Sequence, residues 1–121
     1  MPLTNSVNHI YEPNPLACGQ AVLAMLSGLE VEYIFDLVKT KKETTLKDMK
    51  NALNALNISF KNNRVEINDK KDLPRVAILS LETPKCWHWS LFFDGVFYDP
   101  EYGVLDDFPP SNRRYFWEIV G

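Results

Sequence analysis

Cys18, His88 and Asp99 are the residue types of a thiol nucleophile, an imidazole that moves protons and a carboxylate that orients it. Cys18 lies in the stretch PLACGQAVLAML, at the front edge of an apolar run. If that run is helical, the thiol sits in the first turn, where unpaired N–H groups and the positive end of the helix dipole favour a thiolate. Gly19 then removes a side chain where the backbone of a substrate would need to approach. Taken alone, the stretch is equally that of a buried structural thiol, because free cysteine is among the most buried residue types.

His88 and Asp99 flank the dipeptide Asp94-Gly95, a strong signal for a two-residue hairpin turn. With that turn Phe93 pairs with Val96, Phe92 with Phe97, Leu91 with Tyr98 and Ser90 with Asp99. His88 and Asp99 then share one sheet face as diagonal neighbours about 7–8 Å apart, a gap that an imidazole and a carboxylate can bridge. Such a bond fixes the tautomer and leaves the second ring nitrogen free as a base. A histidine that is simply packed among Trp87, Trp89 and Phe92 is the reading the strand leaves open.

Cys86 stands two residues before His88 and could join it, with Cys18 or His9, in a metal set. Metal-ligating pairs usually come with a second closely spaced pair, and the sequence has none, so neither a metal nor a cofactor is expected. Cys86 is read as a bystander on the face of His88, and His9 as part of a polar lead segment with no catalytic duty. Phosphate loops, metalloprotease motifs and paired-cysteine redox motifs are absent from the sequence.

The elements that must position these groups are legible in outline. Asn14-Pro15 is a helix start, with Asn as cap and Pro in the first turn, and Ser27-Gly28 is the matching stop. Val31 to Val38 predicts a second, shorter helix with a stripe of Val31, Ile34, Phe35 and Val38. Thr45 with Asp48 opens a third, with Leu46, Met49, Leu53 and Leu56 on its apolar face. Beyond Asn57 the pattern turns strand-like: Ile58–Phe60, Val65–Ile67, Val76–Leu79, the hairpin, and a return over Tyr115–Val120. The order, helices then strands without repeat or linker, predicts one α+β domain over residues 1–121.

Hydrophobic content of 45% with 24% charged residues, in 121 residues, is the balance of a globular chain. A net charge of −3 with one short basic run, Lys39–Lys42, argues against nucleic acid as a partner. The longest apolar stretch, Ala21–Leu26, is far below the roughly 20 residues that span a bilayer. No secretory signal is visible in the opening residues, so the expected compartment is the cytoplasm, with both cysteines as free thiols.

CGQAVLAMLSG, TTLKDMKNALNALNISF and LPRVAILSLETPKCWHWSLFFDGVFYDPEYG, in that order, resemble the papain-like peptidases that process double-glycine leader peptides of bacteriocins. That family is best known as the N-terminal domain of exporting transporters, and the resemblance spans about residues 12 to 105. It implies a papain-like fold, N-terminal helices packed on a C-terminal antiparallel sheet, and a hydrolase acting on a peptide or protein. Cys18 would be the nucleophile, His88 the general base and acid, and Asp99 the orienting residue. Gly19, Trp87 and Trp89 would lie along the substrate groove. The family's oxyanion hole joins the backbone N–H of the cysteine, here that of Cys18, to the amide of a Gln six residues upstream. This sequence has Glu12 at that place, and an ionised carboxylate repels an oxyanion. Asn14 offers a nearby amide. The same thioester chemistry would serve a protein glutamine deamidase or an acyltransferase, and Glu12 equally fits a pseudoenzyme that binds a peptide uncut. Without a membrane span, such a domain would work with a transporter partner in trans or as a secreted effector or toxin.

Overall fold

The computed structural model describes residues 7–14, 16–39 and 43–120. Three helices come first, α1 (Cys18–Ser27), α2 (Val31–Val38) and α3 (Leu46–Ala55). Six strands follow: β1 (Val65–Glu66), β2 (Val76–Glu82), β3 (Trp87–Phe93), β4 (Val96–Asp99), β5 (Gly103–Leu105) and β6 (Arg114–Glu118). They form one antiparallel sheet in the order β1-β6-β2-β3-β4-β5, so the class is α+β as the sequence order predicts.

Alternation along the central strands gives the sheet two apolar faces. Val76, Ile78, Leu91 and Phe93 point to the helices, where they meet Val22, Leu23, Leu26, Met49 and Leu53. Ala77, Leu79, Leu81, Phe92 and Phe97 form a second cluster on the opposite face with Ile67 and Phe116. All ten residues of α1 are buried, which explains why its sequence is apolar on every side. Gly28 ends the helix in the left-handed region at φ 76° and donates its N–H to the carbonyl of Ala24 at 2.9 Å.

The start of α1 differs from the predicted one. Asn14 does not cap the helix; its Oδ1 accepts from Leu16 N–H at 2.9 Å and its carbonyl from Ala17 N–H at 3.1 Å, which makes a separate turn. Ala17 occupies the cap position without a side-chain bond, and Cys18 becomes the first helical residue. Pro15 lies outside the described residues.

α3 opens as predicted, on a reciprocal box. Thr45 Oγ1 accepts from Asp48 N–H at 3.1 Å, and Asp48 Oδ2 accepts from Thr45 N–H at 3.2 Å. Met49, Leu53 and Leu56 are buried, but Leu46 is left exposed in the first turn. Both Asp94 (φ 48°) and Gly95 (φ 85°) take positive φ, the conformation that matches strand twist in a tight hairpin. The register is the one read from the sequence, Phe93 with Val96, Phe92 with Phe97 and Leu91 with Tyr98. Ile58–Phe60 forms only a bridge between Phe60 and Ile119, and β5 was not foreseen. Among the described residues, no helix is long and apolar enough to cross a membrane.

Because the box satisfies two backbone donors at the exposed end of α3, Thr45→Ala should lower unfolding stability by about 1 kcal/mol. Thr45→Ser should keep most of it, as read from urea midpoints at constant slope.

Candidate active site

β4 pairs with β3 only from Leu91 onward, which leaves the edge of β3 open at His88 and Trp89. The N-terminus of α1 fills that place. Trp89 N–H donates to Cys18 Sγ at 3.4 Å, and the same sulfur is near enough to the His88 imidazole to help raise its pKa. The first intrahelical bond runs from Ala21 N–H to the carbonyl of Ala17, so the Cys18 N–H stands ahead of the helical ladder.

His88 Nε2 bonds Asp99 Oδ1 at 2.8 Å, with the two residues 3% and 0% exposed. With Nε2 engaged, Nδ1 is the nitrogen left for Cys18. Asp99 accepts three further bonds: Glu101 N–H and Tyr102 N–H on Oδ1, each at 2.9 Å, and Ser90 Oγ–H on Oδ2 at 2.8 Å. Ser90 and Asp99 are the pair the hairpin register set opposite one another. The two backbone donors come from the turn after Asp99, where a side-chain oxygen caps the N–H groups two and three residues on.

Burial alone would lower the imidazole; the hydrogen bonds to Asp99 and Cys18, and their charges, outweigh it and push His88 up to about 10. Burial likewise works against an ionised Asp99, but the His88 bond and charge and the two backbone N–H groups hold its carboxyl below the ordinary value. Both directions describe one imidazolium–carboxylate pair.

The lead segment crosses this corner. His9 Nε2–H donates to the carbonyl of Asp99 at 2.7 Å, and Glu12 N–H to that of Pro100 at 2.8 Å. His9 thus braces the backbone of Asp99. Glu12 is brought beside His88, and its Oε1 is buried without a hydrogen-bond partner among the described residues. Burial pushes its carboxyl up, the His88 charge draws it down, and Glu101 and Asp99 push it up again.

Glu12, His88 and Glu101 each bring one donor atom within 4.8 Å of the others. A metal would need an imidazole nitrogen, yet both contact Asp99 or Cys18, and Lys85 Nζ already meets Glu101 at 3.0 Å. The arrangement is better described as an acidic flank to the imidazole than as a metal centre.

Gly19 is not where the sequence argument put it. A Cβ there would lie 2.6 Å from Thr44 Cβ, 2.7 Å from Thr44 Oγ1 and 3.1 Å from Trp89 Cδ1. The missing side chain makes room for Thr44 against α1, not for an approaching substrate. Trp87 and Trp89 do line an open cavity of about 570 Å³ that also contains Cys18 and His88, and the exposed Cys86 borders it. Thr44, Glu101 and the Trp89 N–H are site groups that sequence reasoning missed: Thr44 comes from a distant segment, while Glu101 and the Trp89 N–H, though near Asp99 and His88 in the chain, carry no local signature.

No protein-family model and no curated protein sequence matches the chain.

The pair has a signed pH signature. A carboxyl lowered from 3.8 stabilises the fold above that value and ceases to do so as pH falls through its folded value. An imidazole raised from 6.5 stabilises below 6.5 and ceases to do so as pH rises through about 10. The stability gap between wild type and His88→Gln should therefore be widest between these lower limits, on the order of 3–5 kcal/mol for a broken buried pair. It should narrow toward pH 10 and in strong acid. Urea unfolding across pH checks this, and a gap that stays constant from mid-acid to pH 10 would rule the ion pair out.

Proposed function

We propose that the protein is a cysteine peptidase of papain-like fold that cleaves a peptide or protein substrate through Cys18, His88 and Asp99. The observation that carries this reading is the buried His88, held by Asp99 at 2.8 Å on one nitrogen and set against the Cys18 sulfur on the other. A histidine that merely packs needs one partner. This one is aligned between a thiol at a helix start and a carboxylate with four donors, the arrangement of an activated nucleophile.

In the reaction, the Cys18 thiolate attacks the scissile carbonyl, a C–S bond forms and the carbonyl electron pair moves to oxygen. The tetrahedral adduct collapses, the C–N bond breaks, and His88 Nδ1–H protonates the departing amine. Water then attacks the thioester as His88 takes its proton. The acid product leaves, and the thiolate and imidazolium are restored. The Trp89 N–H donates to the sulfur at 3.4 Å and holds it at the open edge of β3. The resemblance to leader peptidases favours a peptide bond over a side-chain amide; a glutamine deamidase or acyltransferase would use the same thioester.

Glu12 decides how well such a site works. Beside His88, a protonated Glu12 can donate to the oxyanion as a glutamine would, whereas its carboxylate would repel it. Its buried, unpartnered Oε1 and its raised carboxyl favour the protonated acid more than at an exposed glutamate. The same residue supports the second reading, a groove that binds peptide without cutting it.

Iodoacetamide labelling at pH 6, followed by intact and peptide mass, tests the nucleophile. Cys18 should react fast in wild type and at least about tenfold slower in His88→Ala; equal, slow labelling of Cys18 and Cys86 would overturn the enzyme reading. Release of p-nitrophenolate from an activated amino-acid ester tests Glu12. The Glu12→Gln variant should match wild type in acid and exceed it increasingly as pH rises, toward the 10²–10³ that one oxyanion donor supplies. Identical pH profiles would remove Glu12 from the hole.

A further inference from the structure

The cavity beside Cys18 lies on the helix face of the sheet, away from the acidic flank of Glu12 and Glu101. Three exposed large apolar side chains converge on it: Leu16, Leu46 and Trp87, at 42%, 39% and 47% exposure. A single exposed leucine has no special meaning, but three around a volume of about 570 Å³ that contains a thiol mark a ligand surface. Leu46 in particular leaves the buried face of α3 that its sequence position would give it.

The walls are built in advance. Trp89 Nε1–H donates to the Thr44 carbonyl at 2.8 Å, and its ring lies 5.8 Å from that of Trp117. Trp87 stacks on Tyr115 at 6.1 Å, while the guanidinium of Arg113 sits 5.1 Å over Trp87 and that of Arg64 4.3 Å over Tyr115. Fixed aromatic planes lose little freedom on binding and offer large contact area. Apart from His88, Glu43 and Arg64 contribute one charge of each sign to the lining, so along the aromatic wall selection falls on shape and apolar area rather than on charge.

The side of the substrate follows from the pleat. His88 borders the cavity beside Cys18 while its side chain alternates to the face opposite Trp87 and Trp89 along β3, so the leaving amine, which must reach its proton, is kept to the His88 end. The acyl part need not, and extends from Cys18 along the aromatic wall.

We propose that this cavity is an acyl-side subsite for a bulky apolar side chain, aromatic in preference, adjacent to the scissile carbonyl. The inference rests on the peptidase reading and names its substrate class. Paired glycines, the substrate of the family the sequence resembles, would leave the volume and its three apolar side chains unfilled.

Two acetylated dipeptidyl chloromethyl ketones that differ only in the residue next to the reactive ketone, Gly-Phe and Gly-Gly, test it. Rates at Cys18 are read by peptide mass and divided by those with free cysteine, with iodoacetamide run in parallel on wild type and His88→Ala. The Phe probe should react about 100-fold faster than the Gly probe, the scale of one well-filled apolar pocket. Trp87→Ala and Leu46→Ala, both at exposed positions, should each cut that ratio severalfold. A ratio near one, or a faster Gly-Gly probe, overturns the subsite while His88-dependent iodoacetamide labelling keeps the nucleophile. A high ratio unmoved by either variant overturns the placement in this cavity. Labelling of Cys18 that does not depend on His88 overturns both readings.

Discussion

The carboxylate of Asp99 is fully buried, and four donors converge on it from two segments: His88 and Ser90 of β3, and the backbone of Glu101 and Tyr102. An unpaired carboxylate in that position would be among the most costly groups the fold could hold. With all four donors in place it remains ionised, and its charge in turn keeps the proton on His88. The rest of the corner is arranged around that requirement. The turn after Asp99 aims two N–H groups back at it, the hairpin brings Ser90 opposite, and His9 holds its own carbonyl.

A second constraint is the short reach of β4. It ends where the Asp99 turn must begin, and β3 continues without a partner on that side. An open edge carries unpaired N–H groups that would otherwise face solvent. Here the first residue of α1 occupies the edge, and the Trp89 N–H finds the Cys18 sulfur. Strand stagger thus juxtaposes thiol and imidazole, and Gly19 lets Thr44 close against α1 beneath them. The thiol is held by backbone on one side and by a charged imidazole on the other.

The two sides of His88 and Cys18 are chemically unlike. Toward the lead segment stand Glu12 and Glu101, with Lys85 paired to the latter; toward α3 stand Trp87, Trp89 and Leu46 around an open volume. Under the proposed peptidase reading, this asymmetry separates proton traffic and oxyanion binding from side-chain recognition.

By itself the sequence determined the local geometry. Asp94-Gly95 admits few turns other than the one found, so it set the β3–β4 register and with it the face shared by His88, Ser90 and Asp99. Thr45 and Asp48 fixed the start of α3 for the same reason: their bonds lie within four residues. What the sequence could not reveal depends on contacts between remote segments. That α1 begins at Cys18 rather than directly after Asn14 follows from how the preceding turn docks, and Asn14 reads as a cap only while that docking is unseen. Gly19 looked like space for a substrate because nothing local shows that Thr44 fills it. The nearness of Glu12 to His88, and the convergence of Leu16, Leu46 and Trp87 on one cavity, arise from segments at least 30 residues apart in the chain. Hydrogen bonds within a turn are written in adjacent residues, whereas packing between segments is decided only when the whole sheet and its helices close on one another.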